Sequence, residues 1–290
     1  LGAFHAVAPE RIVLAASASE CIHRFTALTA LQGAQAVSVP RHSYGDYAQA
    51  AQARGLVVLR PDDSGWTTAG LQWACEPSSP LGMPDKQLDA WCDVGESVLR
   101  VLDCAYAPLR LDGAPLPTQS PGVWQLWTPN KALGLTGVRG AYAIAPQGSE
   151  AAVATLGALA PSWPVGAHAA VMLAAWALPD TQNWLAHSRE RLFAWKTSQL
   201  QLLEAMGWVV AHPGVGNFFC AQPFPPAAVP LVPPLLQALR GHGIKLRDAA
   251  SFGLPGQVRL AVLSPSAQSA LEQAWRTVRS ELPKECVDFS

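Results

Sequence analysis

The stretch GVWQLWTPNKALGLTGVRGAYAIAP, residues 122–146, contains two short apolar runs on either side of a segment that carries Lys131 and Arg139. The runs GVWQLWTP (122–129) and RGAYAIAP (139–146) have the length and composition of buried β-strands. Lys131 thus follows the end of a predicted strand, in an almost uncharged segment. Either it is an ordinary solvated side chain in a loop, or its amine is needed for chemistry.

Apolar runs of the same kind alternate with amphipathic stretches through the first half of the chain. The runs are RIVLAAS (11–17), AQAVSVP (34–40), LVVLRP (56–61), GLQWACEP (70–77) and SVLRVLDCAY (97–106). Between them, SECIHRFTALTALQ (19–32), with Ser19 as its candidate N-cap, and YGDYAQAAQARG (44–55) predict helices. Buried strands that alternate with helices favour an α/β fold with a mainly parallel sheet covered on both faces.

The pattern changes in the second half of the chain, where long helical stretches are interrupted near Pro179. The later segments predict strands at WVVAHP (208–213), NFFCAQP (217–223) and QVRLAV (257–262), and helices around 232–241 and 266–282. We therefore predict a large α/β domain over residues 1–163 and a smaller α+β domain over residues 164–290. The chain opens at LGAFHAV without a methionine, so we expect preceding residues to be missing.

The composition excludes several classes of function. Of the 290 residues, 50% are hydrophobic and 14% are charged, which supplies a large core and too little charge for disorder. The 20 basic residues are balanced by 21 acidic ones without a basic run, so we expect no nucleic-acid partner. No uninterrupted apolar stretch is long enough to span a membrane, and we expect a cytoplasmic protein.

The cysteines and histidines do not form a metal-binding pattern. The chain has six cysteines, at positions 21, 75, 92, 104, 220 and 286, and none forms a CxxC pair. We expect buried free thiols in a reducing compartment and no metal site.

Several predicted strands are followed by polar residues, and ligands bind at the carboxyl ends of parallel strands. Ser17-Ala18-Ser19 opens a helix after the first strand, and the free N–H groups of a helix start suit a phosphate. Asp103 ends an apolar strand, where a buried carboxylate needs a cationic or hydrogen-bonding partner. Taken singly, these residues have ordinary explanations as a helix cap, a paired acid or, for Lys131, a solvated amine.

Taken together and in order, these segments resemble a known enzyme family. The ordered set is the helix-start serines, the turn Glu76-Pro77-Ser78-Ser79-Pro80-Leu81-Gly82, Asp103 with Tyr106, and Thr128 with Lys131 and Arg139. It resembles the fold-type I pyridoxal-phosphate enzymes of the class I/II aminotransferase group, and most of all the branch of histidinol-phosphate aminotransferases and threonine-phosphate decarboxylases. The resemblance runs from about residue 7 to the C-terminal helix. It implies an aspartate aminotransferase-like fold and pyridoxal 5'-phosphate as cofactor.

The resemblance implies three roles at the reacting end of the cofactor. Lys131 matches the lysine whose amine forms the family's Schiff base with the cofactor. Asp103 matches the acid that keeps the pyridine nitrogen protonated, so that the ring accepts electrons. Tyr106 matches the phenol that bonds the cofactor's 3'-oxygen.

Further residues are implied to bind the cofactor's phosphate and ring. Arg139, Thr128 and the backbone of Ala18 and Ser19 match the phosphate site, where arginine offers a planar fork of donors. Tyr44 matches an aromatic ring that stacks on the cofactor, although an ordinary tyrosine of an amphipathic helix remains an alternative.

The resemblance also implies substrate-binding residues in the second domain. Arg259 in QVRLAV matches the arginine that grips the substrate α-carboxylate, and Asn217 matches a position near that carboxylate. Arg247 is interpreted either as a contact for a second anionic group or as a surface salt-bridge residue.

The chain departs from the family pattern at several positions. Glu76 and Ser79 replace the two asparagines of the turn, and Ser79 reaches the 3'-oxygen poorly, or through a water. Asn130 stands where a serine usually precedes the lysine, Ser17 replaces a glycine of the phosphate loop, and Cys104 follows Asp103 in place of glutamate.

Three functions follow from the resemblance. The first is biosynthetic transamination of an amino acid or a phosphorylated amino compound, with Lys131 as the general base. The second is decarboxylation by a lyase similar to threonine-phosphate decarboxylase of cobalamin biosynthesis. The third is cofactor binding with little catalysis. The resemblance further implies a homodimer.

Overall fold

The computed structural model describes residues 1–91, 98–114 and 121–281. The chain divides into two compact units. Unit 1 comprises Leu1–Ser79, Pro84–Arg110 and Ala114–His187, and unit 2 comprises Pro80–Met83, Leu111–Gly113 and Ser188–Ser290. The domains predicted from sequence, 1–163 and 164–290, stay a prediction; their boundary lies upstream of the division at His187.

Unit 1 is built on a seven-stranded sheet, counted over the described residues. Its strands are β1 (Ile12–Ala15), β2 (Ala36–Ser38), β3 (Val57–Leu59), β4 (Leu71–Cys75), β5 (Leu99–Asp103), β6 (Val123–Trp127) and β7 (Ala141–Ile144), in the order β1-β7-β6-β5-β4-β2-β3. β7 runs antiparallel to β1 and β6, and the remaining pairs are parallel. Every residue of β4 and β7 is buried, as expected of a sheet covered on both faces. The predicted mainly parallel α/β fold is confirmed.

The helices that begin in unit 1 include the two predicted at 19–32 and 44–55. They are α1 (Gly2–His5), α2 (Ala18–Leu31), α3 (Gly45–Gln52), α4 (Gln87–Ala90), α5 (Glu150–Ala158), α6 (Ala167–Trp176) and α7 (Pro179–Ala205). The predicted interruption near Pro179 is confirmed, since proline suits the first position of a helix.

The predicted N-cap of α2, Ser19, is wrong: the cap is Ser17. Its Oγ accepts a hydrogen bond from the Glu20 N–H at 3.1 Å, and Glu20 Oε2 accepts one from the Ala16 N–H at 3.2 Å. This is a variant of the capping box, in which the glutamate three positions after the serine bonds the N–H of the residue before the cap instead of that of the cap itself. Ser17 has this partner in Glu20, and Ser19 is the second residue of α2.

Aromatic packing fixes α2 against the sheet. The fully buried Phe25 meets Trp73 of β4 and Trp124 of β6 edge to face, with ring centroids 5.9 and 5.2 Å apart. Each such pair stabilises by roughly 0.5–1.5 kcal/mol beyond the burial of its apolar area. The packing holds the N-terminus of α2 at the carboxyl end of β1.

Unit 2 has the predicted α+β composition. Its strands β8 (Phe218–Ala221), β9 (Arg247–Asp248) and β10 (Val258–Ala261) form an antiparallel sheet in the order β8-β10-β9, next to α8 (Val232–Gly241) and α9 (Pro265–Glu281). The strand predicted at 208–213 is reduced to a single bridge between Val209 and Gln222.

Two expectations from the composition concern the cysteines and the apolar stretches. Cys21, Cys75, Cys104 and Cys220 are buried free thiols, whereas positions 92 and 286 lie outside the described residues. Within the described ranges, no helix is long and apolar enough to cross a membrane.

Candidate active site

Asp103 ends β5 as a buried carboxylate with both oxygens bonded. Its Oδ2 accepts a 2.6 Å hydrogen bond from the Tyr47 hydroxyl, and its Oδ1 accepts one of 2.9 Å from the Ala105 N–H. Asp103 is 4% exposed and Tyr47 is fully buried. The sequence predicted that a buried acid here needs a partner, and the structure supplies Tyr47.

Lys131 lies in the loop after β6, and its amine sits over an aromatic ring. The Nζ atom is 4.7 Å from the centroid of the Tyr106 ring, and both side chains are half-buried. An ammonium over a tyrosine face is attracted by the ring's quadrupole. The structure therefore brings together two of the residues proposed for the cofactor's reacting end.

The loop that carries Lys131 is closed by two buried side chains. The Thr128 hydroxyl lies 2.9 Å from Asn130 Oδ1 and 3.0 Å from the Gly140 carbonyl, and Asn130 Nδ2 donates to the Val138 carbonyl at 3.2 Å. Because a hydroxyl has one proton, both acceptors compete for it. Thr128, predicted as a phosphate contact, thus directs its proton into the loop, and Asn130 fixes the segment that holds the lysine.

The predicted phosphate residues converge where α2 begins. Residue Ala15 of β1 pairs with Ala141 of β7, which places the segment before β7, and Arg139 with it, beside the start of α2. Ser19 Oγ lies 3.2 Å from Tyr44 Oη. Burial raises the pKa of the Tyr44 phenol, while the Ser19 hydrogen bond and the Arg139 charge lower it, so the Arg139 charge acts on this ring.

The helix start also offers backbone donors to an anion. Ser17 caps the Glu20 N–H, and the Cys21 N–H bonds the Ser17 carbonyl. The N–H groups of Ala18 and Ser19 are the earlier donors of this turn, which an α-helix leaves without intrahelical partners. With exposed Arg139 beside them, this donor set suits a phosphate.

Asp103 and Lys131 lie at the same edge of the sheet, because Asp103 ends β5 and Lys131 follows the parallel neighbour β6. Cys75 ends β4 and pairs in register with Asp103. Burial raises the pKa of Cys75 well above its ordinary value, the Asp103 charge raises it further, and the Lys131 charge lowers it.

The altered turn has its own buried network. Glu76 is 2% exposed and forms an ion pair with Arg110, and its second oxygen accepts the Asp85 N–H. Burial raises the pKa of Glu76, although the Asp85 N–H and the Arg110 charge both lower it. Ser79 is buried. Glu76 thus stabilises the turn, and its oxygens are engaged by Arg110 and Asp85.

The substrate residues proposed from sequence lie in unit 2. Arg259 on β10 stacks on the Phe218 ring of β8, with its guanidinium carbon 3.9 Å from the centroid. Asn217 immediately precedes β8, and its Oδ1 is buried with no hydrogen-bond partner among the described residues. Arg247 donates to Ser251 Oγ at 3.1 Å and stacks on Phe252.

Sequence reasoning missed two residues. Tyr47 follows Tyr44 by three positions, a helical spacing that could have identified it. Lys196 of α7 is 5% exposed, and its Nζ donates to the carbonyls of Gly214 (2.8 Å) and Gly216 (3.0 Å), just before Asn217. A lysine within a long amphipathic helix gives no sequence signal for this role.

A groove elsewhere in unit 2 contains none of the predicted site residues. It has a volume of about 590 Å³ and is lined by residues of α7 and the following segment: Thr197, Leu200, Gln201, Glu204, Trp208, Val209, Val210 and Pro213. Among the described residues, no cluster of histidine, cysteine, aspartate and glutamate could hold a metal ion.

Comparison with known proteins gives consistent relatives. A histidinol-phosphate aminotransferase of Pseudomonas fluorescens (strain Pf0-1) is 27% identical over 265 residues, which cover 85% of this chain and 63% of that protein. The chain thus spans less than two thirds of this curated relative's length.

Solved structures share the fold at lower identity. The L-threonine-O-3-phosphate decarboxylase of Porphyromonas gingivalis has a TM-score of 0.77 at 18% identity, over 96% of this chain and 86% of that one. The histidinol-phosphate aminotransferase of Sinorhizobium meliloti, solved with pyridoxal 5'-phosphate, has a TM-score of 0.75 at 19% identity, over 96% and 80%. These likenesses confirm the predicted fold.

The family model for aminotransferase class I and II matches residues 2–276. This family depends on pyridoxal 5'-phosphate, which confirms the expected cofactor at the level of the family. The donors at the start of α2, Arg139, Asp103 and Lys131 fit the phosphate, the ring nitrogen and the aldehyde of that group. Because the match covers nearly all of its 290 residues, this chain belongs to the aminotransferase class I and II family.

Proposed function

We propose that this chain catalyses transamination of an amino acid or a phosphorylated amino compound with pyridoxal 5'-phosphate. The observation that carries the proposal is the shared edge of the sheet: Asp103 ends β5, Lys131 follows the parallel neighbour β6, and the Lys131 Nζ lies 4.7 Å from the ring of Tyr106, three residues after Asp103. When bound, the cofactor supplies an electron sink for charge that develops at the substrate α-carbon.

Each residue of the chain has a defined task in this proposal. Lys131 would hold the cofactor's aldehyde carbon through its Nζ until the substrate amine displaces it, and the freed Nζ would then take the proton from the substrate α-carbon. Asp103 would accept a hydrogen bond from the protonated ring nitrogen, and Tyr106 would bond the 3'-oxygen and support the lysine. Tyr44 covers the ring face.

The phosphate and the substrate are bound by separate groups. The N–H groups of Ala18 and Ser19 and the Arg139 guanidinium bind the cofactor's phosphate, while Thr128 holds the neighbouring loop through Asn130 and Gly140. Ser79 lies at the altered turn near the 3'-oxygen. Arg259 binds the substrate α-carboxylate, since its stacking on Phe218 fixes the plane of the guanidinium. Asn217 offers its buried Oδ1 and its amide to the same substrate.

We further propose a homodimer and a cytoplasmic location. Large apolar side chains of unit 1 are exposed in the single chain, including Trp163 (91%) and Val171 (70%), and a second copy would cover them. The four buried free thiols suit a reducing compartment. Sedimentation of the purified chain tests the dimer, and a monomer at micromolar concentration would contradict it.

The experiment that tests the activity is a half-reaction assay. The cofactor-loaded chain is mixed with amino acids and with amino alcohol phosphates, and the keto product, pyridoxamine phosphate and carbon dioxide are measured. Transamination predicts equal amounts of keto product and pyridoxamine phosphate. Carbon dioxide with unchanged cofactor would favour the decarboxylase, and neither product would favour cofactor binding with little catalysis.

A further inference from the structure

Tyr47 occupies a position that the proposed roles do not use. It is fully buried on α3, and its ring stacks on Trp73 of β4 with centroids 4.6 Å apart and planes 8° from parallel. The Tyr44 ring meets it edge to face at 5.9 Å. Tyr47 thus packs between Tyr44, whose ring is proposed to cover the cofactor, and Trp73 of the sheet.

The Tyr47 hydroxyl is aimed at the one acid proposed to touch the cofactor. It donates to Asp103 Oδ2 at 2.6 Å, a length typical of a hydroxyl bonded to a charged carboxylate. Burial, together with the Asp103 charge, raises the pKa of Tyr47 well above its ordinary value, so the phenol keeps its proton and remains a donor. The Ala105 N–H holds the other oxygen at 2.9 Å.

These two bonds fix the plane of the carboxylate. A carboxylate has lone pairs to spare after two hydrogen bonds, so Asp103 retains an acceptor site for a protonated ring nitrogen. A donor bonded to the charged form also favours that form in a buried setting, where the burial cost would otherwise favour the neutral acid.

We propose that Tyr47 is a positioning residue that holds the Asp103 carboxylate in the orientation that faces the cofactor's ring nitrogen. The inference rests on the proposed function, in which Asp103 binds that nitrogen. Tyr47 itself does not touch the reacting atoms, and its effect passes through Asp103.

The test compares Tyr47→Phe with a matched control, Tyr142→Phe. The first change keeps the ring stacked on Trp73 and removes only the hydroxyl. The control also removes a buried hydroxyl, which bonds His5 at 2.8 Å and Trp176 at 3.0 Å, away from Asp103. Both are made in the wild-type and the Asp103→Asn backgrounds. The readouts are the Kd for pyridoxal 5'-phosphate and the pH dependence of the bound cofactor's absorption.

We expect Tyr47→Phe to weaken cofactor binding about tenfold, as for loss of one hydrogen bond to a charged group, and to displace the pH profile. In the Asp103→Asn background the same change should have little further effect, and Tyr142→Phe should leave both readouts unchanged. Wild-type affinity and pH profile in Tyr47→Phe, or an equal loss in the Asp103→Asn background, would overturn the inference. A wild-type chain that does not bind the cofactor would overturn the proposed function instead.

A second variant covers the case in which Tyr47→Phe does not fold. Tyr47→3-fluorotyrosine keeps the ring and the hydroxyl but makes the hydroxyl a stronger donor. Because its hydrogen bond to Asp103 is stronger, it should displace the pH profile in the direction opposite to the displacement expected for Tyr47→Phe. A profile identical to that of the wild type would overturn the positioning role.

Discussion

The Lys131 amine lies over the ring of Tyr106, with Nζ 4.7 Å from the ring centroid. The ring reaches this place because Tyr106 follows β5 and Lys131 follows β6, which are parallel neighbours in the sheet. Loops after neighbouring parallel strands leave from the same edge, so their side chains meet there. The relationship predicts that the ring and the hydroxyl of Tyr106 have separable effects.

Tyr106→Phe should keep the lysine in place and lose only the hydroxyl. We expect the cofactor to bind about tenfold more weakly, since one hydrogen bond to the 3'-oxygen is lost. Tyr106→Ala also removes the ring, which costs a further 0.5–2 kcal/mol or so of cation–π attraction. Cofactor titration of both variants checks this, and equal affinities for the two would show that the ring does not support Lys131.

The buried pair at the altered turn should be sensitive to the loss of one partner. Arg110→Met leaves the Glu76 carboxylate buried without its cation, and we expect a loss of about 3–5 kcal/mol in the free energy of unfolding. The double change Arg110→Met with Glu76→Gln should recover most of that loss. Urea unfolding measures the free energy of unfolding of both variants. Equal values for the single and the double variant would mean that the pairing of Arg110 with Glu76 does not stabilise the fold.

The Asn217 segment should depend on Lys196. Lys196→Met keeps the aliphatic stem but leaves the Gly214 and Gly216 carbonyls without their donor. Because each buried unsatisfied group costs about 1–3 kcal/mol, the free energy of unfolding should fall by several kcal/mol. The control is Lys245→Met, an exposed position where we expect a change within about 0.5 kcal/mol. Similar losses in the two variants would contradict the anchoring role.

His5 should make stability dependent on pH. Burial lowers the pKa of His5 from 6.5 to about 4, and its ring nitrogen lies 2.8 Å from the Tyr142 hydroxyl. Between pH 6.5 and about 4 the unfolded chain therefore binds more protons than the folded chain, and stability falls as the pH falls through this window.

The test compares the wild type with His5→Gln, which does not titrate. Between pH 7 and pH 5, the wild type should lose on the order of 1 kcal/mol more than the variant. Denaturant unfolding at the two pH values measures the difference. Identical pH dependence in both proteins would exclude His5 as the source.

Candidate site residues could be predicted from the sequence where a charged side chain occurs in an apolar segment. Asp103 at the end of an apolar strand and Lys131 in an uncharged loop could both be selected, because burying a charge requires a partner or a function. The strand and helix order followed from the alternation of apolar runs, which the sheet confirms.

The other features of the site depend on contacts between side chains that the spacing of residues in the sequence does not reveal. Ser17 rather than Ser19 caps α2 because Glu20 completes the capping box with it. The inward direction of the Thr128 hydroxyl depends on Asn130 and Gly140, and the role of Tyr47 depends on the fold bringing it within 2.6 Å of an acid 56 positions away.

Covalent trapping of pyridoxal 5'-phosphate shows whether the Lys131 amine carries the cofactor. The purified chain is incubated with pyridoxal 5'-phosphate, reduced with borohydride, digested and examined by mass spectrometry, beside Lys131→Ala and Lys245→Ala as controls. We expect a reduced pyridoxyl group on Lys131 in the wild type and in Lys245→Ala, and none at position 131 in Lys131→Ala. Modification at other lysines with Lys131 left free would contradict it.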